Sequence, residues 1–159
     1  MFFLDILRTM VRRYRAAIAG LRNYGRVTHG ARFIVGPGLR VGRGRRLSVG
    51  DRVSIGRNLD CMSNVQMGSD IMISSAVSFV GDDHEFGDPE RTIQEQARKP
   101  YAKVVLEGDN LIGYGTLVVG NVRIARGAIV GAGSLVVKDL AEPGIYIGRP
   151  ARKVKERYV

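Results

Sequence analysis

Apolar residues recur at every sixth position over most of this chain, and that period restricts the fold more than any other feature. From Val49 the series runs Val49, Ile55, Cys61, Met67, Ile73, Phe79. Four places along, a second series reads Val53, Leu59, Val65, Ile71, Val77 before Asp83 breaks it. The place directly after each member of the first series is Gly50, Gly56, Met62, Gly68, Ser74, Val80, and most of these are small. An earlier pair, Val35–Gly36 and Val41–Gly42, keeps the spacing and joins the main series after a slip of two residues around Arg45–Arg46. The ladder stops near His84 and returns as Leu106, Ile112, Val118, Ile124, Val130, Val136. In this second phase the place four along is Asn110, Thr116, Val122, Ala128, Ser134, Leu140.

A period of six is neither the 3.6 of a helix nor the 2 of a long strand. A short strand and a turn use about six residues. Three such units close a triangular coil of about 18 residues, and coils stack through parallel backbone hydrogen bonds. One aliphatic side chain per unit points inward. The small residue beside it is expected at the corner, where there is little room for a Cβ and where φ > 0 can be required. Such a repeat accounts for 21 glycines in 159 residues, roughly twice the usual share of about 7%. A β-sandwich would instead alternate with period two over longer strands.

The expected fold is therefore all-β: a parallel β-helix over residues 31–145, with an N-terminal helix and linker in 1–30 and a basic tail in 146–159. The helix follows from apolar residues at Phe3, Leu7, Met10, Tyr14, Ile18 and Leu21, with Arg8, Arg12, Arg15 and Arg22 on the other face. It packs on the protein or a neighbouring subunit, or, in a second reading, rests on an anionic membrane surface. The opening run Met1–Leu4 is broken by Asp5 and Arg8, so no secretory signal is expected. No apolar run reaches about 18 residues, so no transmembrane helix is expected. The expected location is the cytoplasm, at the inner face of the membrane in the second reading of the helix.

The lone Cys61 excludes an internal disulfide and paired-cysteine zinc spacing, and it falls on an inward position. With only two histidines, a three-histidine zinc site cannot form, and no metal is expected. The formal charge of +10 suggests phosphorylated ligands, nucleic acid or an anionic membrane. Nucleic acid is not the expected partner, because no binding motif or interleaved aromatics accompany the charge.

Residues 85–103 are polar, contain Pro89 and Pro100, and have no period of six. They are expected as one extruded loop, and long loops in compact domains are often functional. The loop begins after His84, the candidate general base: its free pKa lies nearest neutrality, so it can take a proton from an attacking hydroxyl or amine. Asp82 and Asp83 are candidates to orient or charge-tune the ring. His29 precedes the repeats and is expected to be structural or solvated.

Ile112–Gly113–Tyr114–Gly115, then Val130–Gly131–Ala132–Gly133–Ser134 running on to Asp139, then Gly148–Arg149–Pro150–Ala151–Arg152–Lys153–Val154, resemble the hexapeptide-repeat acetyltransferases. His84–Glu85–Phe86 with Asp88–Pro89 resembles the branch acting on sugars, antibiotics and polysaccharide precursors. The likeness covers about residues 35–155. It implies a left-handed coil and a homotrimer with active sites in clefts between subunits. It implies His84 as the base and acetyl-CoA as co-substrate along the second half of the prism. Tyr114 and Ala132 match places that contact the pantetheine arm. Val137 and Lys138 match a place near the cofactor's far end. Arg152 and Lys155 match basic positions beside the nucleotide, where Arg and Lys suit phosphate.

Some positions depart from the family pattern. Many relatives have a Trp where this chain has Leu111 preceded by Asn110. Tyr114 is larger than the usual residue there, and Asp83 stands where Asn or Thr is common. Asp60 and Asn64, about one coil from His84, are acceptor-binding candidates together with Asp83. The expected reaction is O-acetylation of a sugar in surface polysaccharide or lipopolysaccharide synthesis. N-acetylation of a nucleotide-linked amino sugar is the alternative, and a non-catalytic nucleic-acid or membrane-binding scaffold is the reading from another class.

Overall fold

The computed structural model describes Met10, Val11, Tyr14, Ile18, Asn23, residues 25–81 and residues 83–158. The expected N-terminal helix lies, apart from those few positions, outside the described residues.

The hexapeptide ladder folds into short strands. In chain order they are β1 (Val27–His29), β2 (Ile34–Val35), β3 (Arg40–Val41), β4 (Leu47–Val49), β5 (Ser54–Ile55) and β6 (Asp60–Cys61). Next come β7 (Asn64–Met67), β8 (Met72–Ile73), β9 (Ser78–Val80), β10 (Lys103–Leu106), β11 (Leu111–Ile112) and β12 (Leu117–Val119). The last are β13 (Val122–Ile124), β14 (Ala128–Val130), β15 (Leu135–Val136), β16 (Gly144–Gly148) and β17 (Ala151–Lys155). They stack as a parallel β-solenoid with three faces. The first face is β1-β4-β7-β10-β13, the second β2-β5-β8-β11-β14-β16-β17, and the third β3-β6-β9-β12-β15. Among the described strands only the β16–β17 pair is antiparallel, and β17 folds back to cover the open edge of the second face.

Both apolar ladders point inward: Val49, Ile55, Cys61, Met67, Ile73 and Phe79 are buried, as are Val53, Leu59, Val65, Ile71 and Val77. Each such aliphatic side chain contributes about 1.5–3 kcal/mol of burial. In the second half three inward positions are polar and still buried: Asn110, Thr116 and Ser134. Their hydrogen bonds are internal. Asn110 Nδ2 donates to the carbonyls of Ala125 (2.8 Å) and Ala128 (3.1 Å), and Ser134 Oγ donates to Gly131 O at 2.7 Å. Burial raises the Cys61 thiol well above its ordinary pKa, so Cys61 is a core residue and not a nucleophile.

The small corner residues are small for a reason other than φ. Gly36, Gly50, Gly56, Gly68 and Gly113 have no positive φ. A Cβ on Gly68 would sit 2.3 Å from Glu107 O, and one on Gly113 would sit 2.5 Å from Ala132 N. What they provide is clearance between stacked coils. At many corners a positive-φ residue stands just before the second inward ladder: Arg52, Asn58, Asp70, Ala76 and Asp109 precede Val53, Leu59, Ile71, Val77 and Asn110.

The register shows where the repeat is broken. Val65 pairs with Leu47 and Val122 with Val104, 18 positions apart, the same step as the hydrogen bond from Lys103 N to Asn121. Leu47 pairs with Val27 and Asp60 with Arg40, 20 apart, so the slip at Arg45–Arg46 is an enlarged corner. Val104 pairs with Val65, so an extra stretch lies between β9 and β10. The sheets also reach beyond the expected 31–145. Val27 is buried against the next coil, and β16 pairs in register with β14.

Candidate active site

The chain leaves the third face at Gly81, where φ is 142° and a Cβ would meet Gly120 N at 2.4 Å. It returns at Ala102. Between these points Asp83–Glu85 pairs with Ala97–Lys99. Glu85 N donates to Ala97 O and Lys99 N to Asp83 O, both at 2.8 Å, around an antiparallel bridge between His84 and Arg98. Beyond the bridge lies a 3-10 turn, Ile93–Glu95, whose entry is fixed by Glu95 accepting from the N–H (3.0 Å) and hydroxyl (2.9 Å) of Thr92. Those bonds hold the Glu95 carboxyl below its ordinary pKa.

His84 is half-buried, and its Nδ1 lies 3.1 Å from the main-chain carbonyl of Gln96. A carbonyl only accepts, so the neutral ring carries its proton on Nδ1 and leaves the Nε2 lone pair free. This is the tautomer a general base needs. Gln96 is itself buried within an otherwise exposed segment. Its carboxamide accepts from Asp88 N (3.1 Å) and donates to the carbonyls of Asp88 and Arg91 (each 3.2 Å). One residue thus folds the loop and orients the imidazole. The expected orienting role of Asp83 takes another form, since its carboxylate accepts the main-chain N–H of His84 at 3.2 Å and not the ring. Asp82 lies outside the described residues. His29 stacks on Phe33 with centroids 4.8 Å apart.

The other candidates gather in separate places. Tyr114 and Ala132 are exposed on consecutive coils at the corner between the second and third faces, where Tyr114 O accepts from Gly133 N at 2.7 Å. Val137 and Lys138 are exposed at the corner after the third face, the corner from which the His84 segment also departs. The third face lies between these two edges. Arg152 and Lys155 are exposed on β17. Their neighbour Lys153 is held by Glu142 (2.9 Å) and Glu156 (2.7 Å), so its charge is already matched. Asp60 sits on the third face, paired with Arg40 at 3.2 Å, with its other oxygen buried and unpartnered. Asn64 opens β7 on the first face and accepts from Arg46 N at 3.0 Å. The residue that sequence reasoning missed is Gln96. No periodicity marks it, and a glutamine in a polar run reads as solvated.

Comparison with known proteins places this architecture among acyltransferases. No family model matches the chain. A 2,3,4,5-tetrahydropyridine-2,6-dicarboxylate N-acetyltransferase of Staphylococcus aureus (strain JH9) is 38% identical over 53 residues, 33% of this chain and 22% of that protein. The chain therefore aligns with only about a fifth of the length of the curated relatives it matches. Among solved structures, AntD, an N-acyltransferase from Bacillus cereus in complex with dTDP and 3-hydroxybutyryl-CoA, superposes with a TM-score of 0.68. It is 24% identical, and the match covers 85% of this chain and 74% of AntD. A variant of AntD in complex with dTDP-4-amino-4,6-dideoxyglucose and coenzyme A is 25% identical with a TM-score of 0.59, covering 84% and 79%. The hexapeptide-repeat acetyltransferase VCA0836 from Vibrio cholerae, with acetyl-CoA, is 18% identical with a TM-score of 0.64, covering 92% and 78%. The likeness to hexapeptide-repeat acetyltransferases carried by the sequence thus extends to the architecture.

Proposed function

We propose that this chain is an acetyl-CoA-dependent acetyltransferase that acylates the amine of an amino sugar carried on a nucleotide, with His84 as the general base. The observation that carries the reading is the bond from His84 Nδ1 to Gln96 O, which leaves Nε2 free to accept a proton. The expectation of O-acetylation gives way because both AntD and the Staphylococcus aureus relative are N-acyl transferases by name.

In the proposed reaction the acceptor nitrogen attacks the thioester carbonyl and His84 Nε2 takes the N–H proton. The tetrahedral intermediate then collapses, the C–S bond breaks, and the imidazolium returns the proton to the CoA sulfur. Gln96 O keeps its bond to Nδ1–H throughout and stabilises the imidazolium. Acetyl-CoA would lie over the third face, between the Tyr114–Ala132 edge and the Val137–Lys138 edge, with Arg152 and Lys155 toward its phosphates. Three copies would complete the clefts as a homotrimer.

The test is thiol release from acetyl-CoA with paired acceptors: a nucleotide-linked amino sugar and the same compound with a hydroxyl in place of the amine. Turnover is expected with the amine. Turnover with the hydroxyl alone would restore O-acetylation, and undiminished activity of His84→Ala would remove the base.

A further inference from the structure

The two enlargements of the solenoid's repeat leave from the same corner, where the third face turns into the first. One is the enlarged corner 42–46, between β3 and β4. The other is the His84 segment, between β9 and β10. They touch across the intervening coil. The Arg45 guanidinium lies 4.0 Å from the centroid of the Tyr101 ring, and a Cβ on Gly44 would come 3.0 Å from the Tyr101 hydroxyl.

Below this contact a cleft of about 410 Å³ opens on the first face, lined by Gly44, Arg46, Ser48, Asn64, Gln66 and Lys103. A second, of about 720 Å³, adjoins it at Gly44 and is lined by Arg26, Val41 and Arg43. Among the described residues, no carboxylate lines either cleft. Among the described residues, Arg43, Arg46 and Lys103 have no acidic partner, whereas Arg40, Arg52, Arg123 and Arg157 each pair with a carboxylate. The solenoid needs neither the extra corner residues nor uncompensated cations there. Adjacent like charges repel, and they are stabilised when an anion lies between them.

We propose that these adjoining clefts bind the diphosphate of a nucleoside diphosphate acceptor, with Arg46 and Lys103 of the first and Arg43 of the second as cations and Ser48, Asn64 and Gln66 as neutral hydrogen-bonding groups. Arginine's fork suits phosphate oxygens, and uncharged polar side chains hold them without adding charge. This deepens the proposed function and rests on the acceptor being nucleotide-linked. The site lies at the foot of the segment that carries His84.

The experiment is calorimetric titration of the full chain with dTDP, inorganic pyrophosphate and thymidine. dTDP and pyrophosphate are expected to bind, with thymidine at least about tenfold weaker, because the phosphates carry the recognition. The double variant Arg46→Ala/Lys103→Ala is expected to raise the dTDP dissociation constant about 10- to 100-fold, and Arg57→Ala, an exposed arginine outside the cleft, to leave it unchanged. If the double variant melts early, the single charge reversal Lys103→Glu carries the same expectation. An unchanged dissociation constant in these variants, or no dTDP binding to the wild type, overturns the proposal. Because binding is read without turnover, tight and cleft-dependent dTDP binding alongside no acetyl transfer would sink the proposed reaction while sustaining the site.

Discussion

At the residue scale the candidate chemistry depends on one hydrogen bond. His84→Ala should lower turnover by about 10² to 10⁴ while CoA binding is retained, as read by thiol release and by calorimetry. Gln96 acts through His84 and is a positioning residue. Its main-chain carbonyl survives substitution, but the carboxamide that places it does not. In Gln96→Leu, the ¹⁵N shifts of the His84 ring should move from the Nδ1–H tautomer toward a mixture, and the pH profile of kcat/KM should shift. A lower melting temperature with both signatures unchanged would reduce Gln96 to a fold role. His84 was legible in the sequence as a candidate because it stands at the edge of a broken period. Gln96 was not, because its burial is produced by the backbone of Asp88 and Arg91 folding around it.

At the element scale the corners separate two demands on small residues. Gly68→Ala would force a Cβ against Glu107 O of the next coil, and overpacking against backbone should cost about 1–3 kcal/mol. Gly115 has φ +66° and nothing within 4 Å of a built Cβ, so Gly115→Ala carries only backbone strain. Ala76, at φ 59°, already tolerates that conformation, so the loss at Gly115 should be about 1 kcal/mol. Denaturant unfolding of the two variants checks the order, and equal losses would mean that inter-coil clearance is not the constraint. The spacing of these glycines was visible in the sequence. Their purpose was not, because a period cannot distinguish a strained φ from a close approach.

At the scale of the whole molecule the C-terminal strand is tied back to the coil. Arg157 Nη1 donates to Asp109 O at 2.7 Å and Nη2 to its carboxylate at 3.0 Å, and the Tyr158 hydroxyl donates to the other oxygen at 3.2 Å. The Arg157 bond holds the Asp109 carboxyl below its ordinary 3.8. The N–H of Arg126 and then the side chain of Arg123 hold Glu107 below 4.5. A carboxyl depressed in the folded state contributes stability that is complete above its unfolded pKa and is lost as pH falls through the folded one. The melting temperature should therefore fall as the solution is acidified below those values. Asp109→Asn keeps a residue that accepts the left-handed φ of 48° and removes the charge. It should lower the melting temperature near neutrality by about 1–3 °C and flatten its acid dependence, because a partly exposed pair contributes little. An acid slope as steep as that of the wild type would clear Asp109 of the effect.

The sequence by itself determined the coil: the period of six, the inward ladders, the buried Cys61, the enlarged corner at Arg45–Arg46 and the break at His84. Each of these is a matter of side-chain direction along a few consecutive residues, which is local and repeats. Only the tertiary structure decided that Gln96 and not Asp83 orients the imidazole, and that the corner glycines serve clearance. It also decided that Arg43, Arg46 and Lys103 line adjoining clefts. Those facts depend on segments up to some 60 positions apart meeting across stacked coils, and no local pattern encodes which partner a side chain will find there.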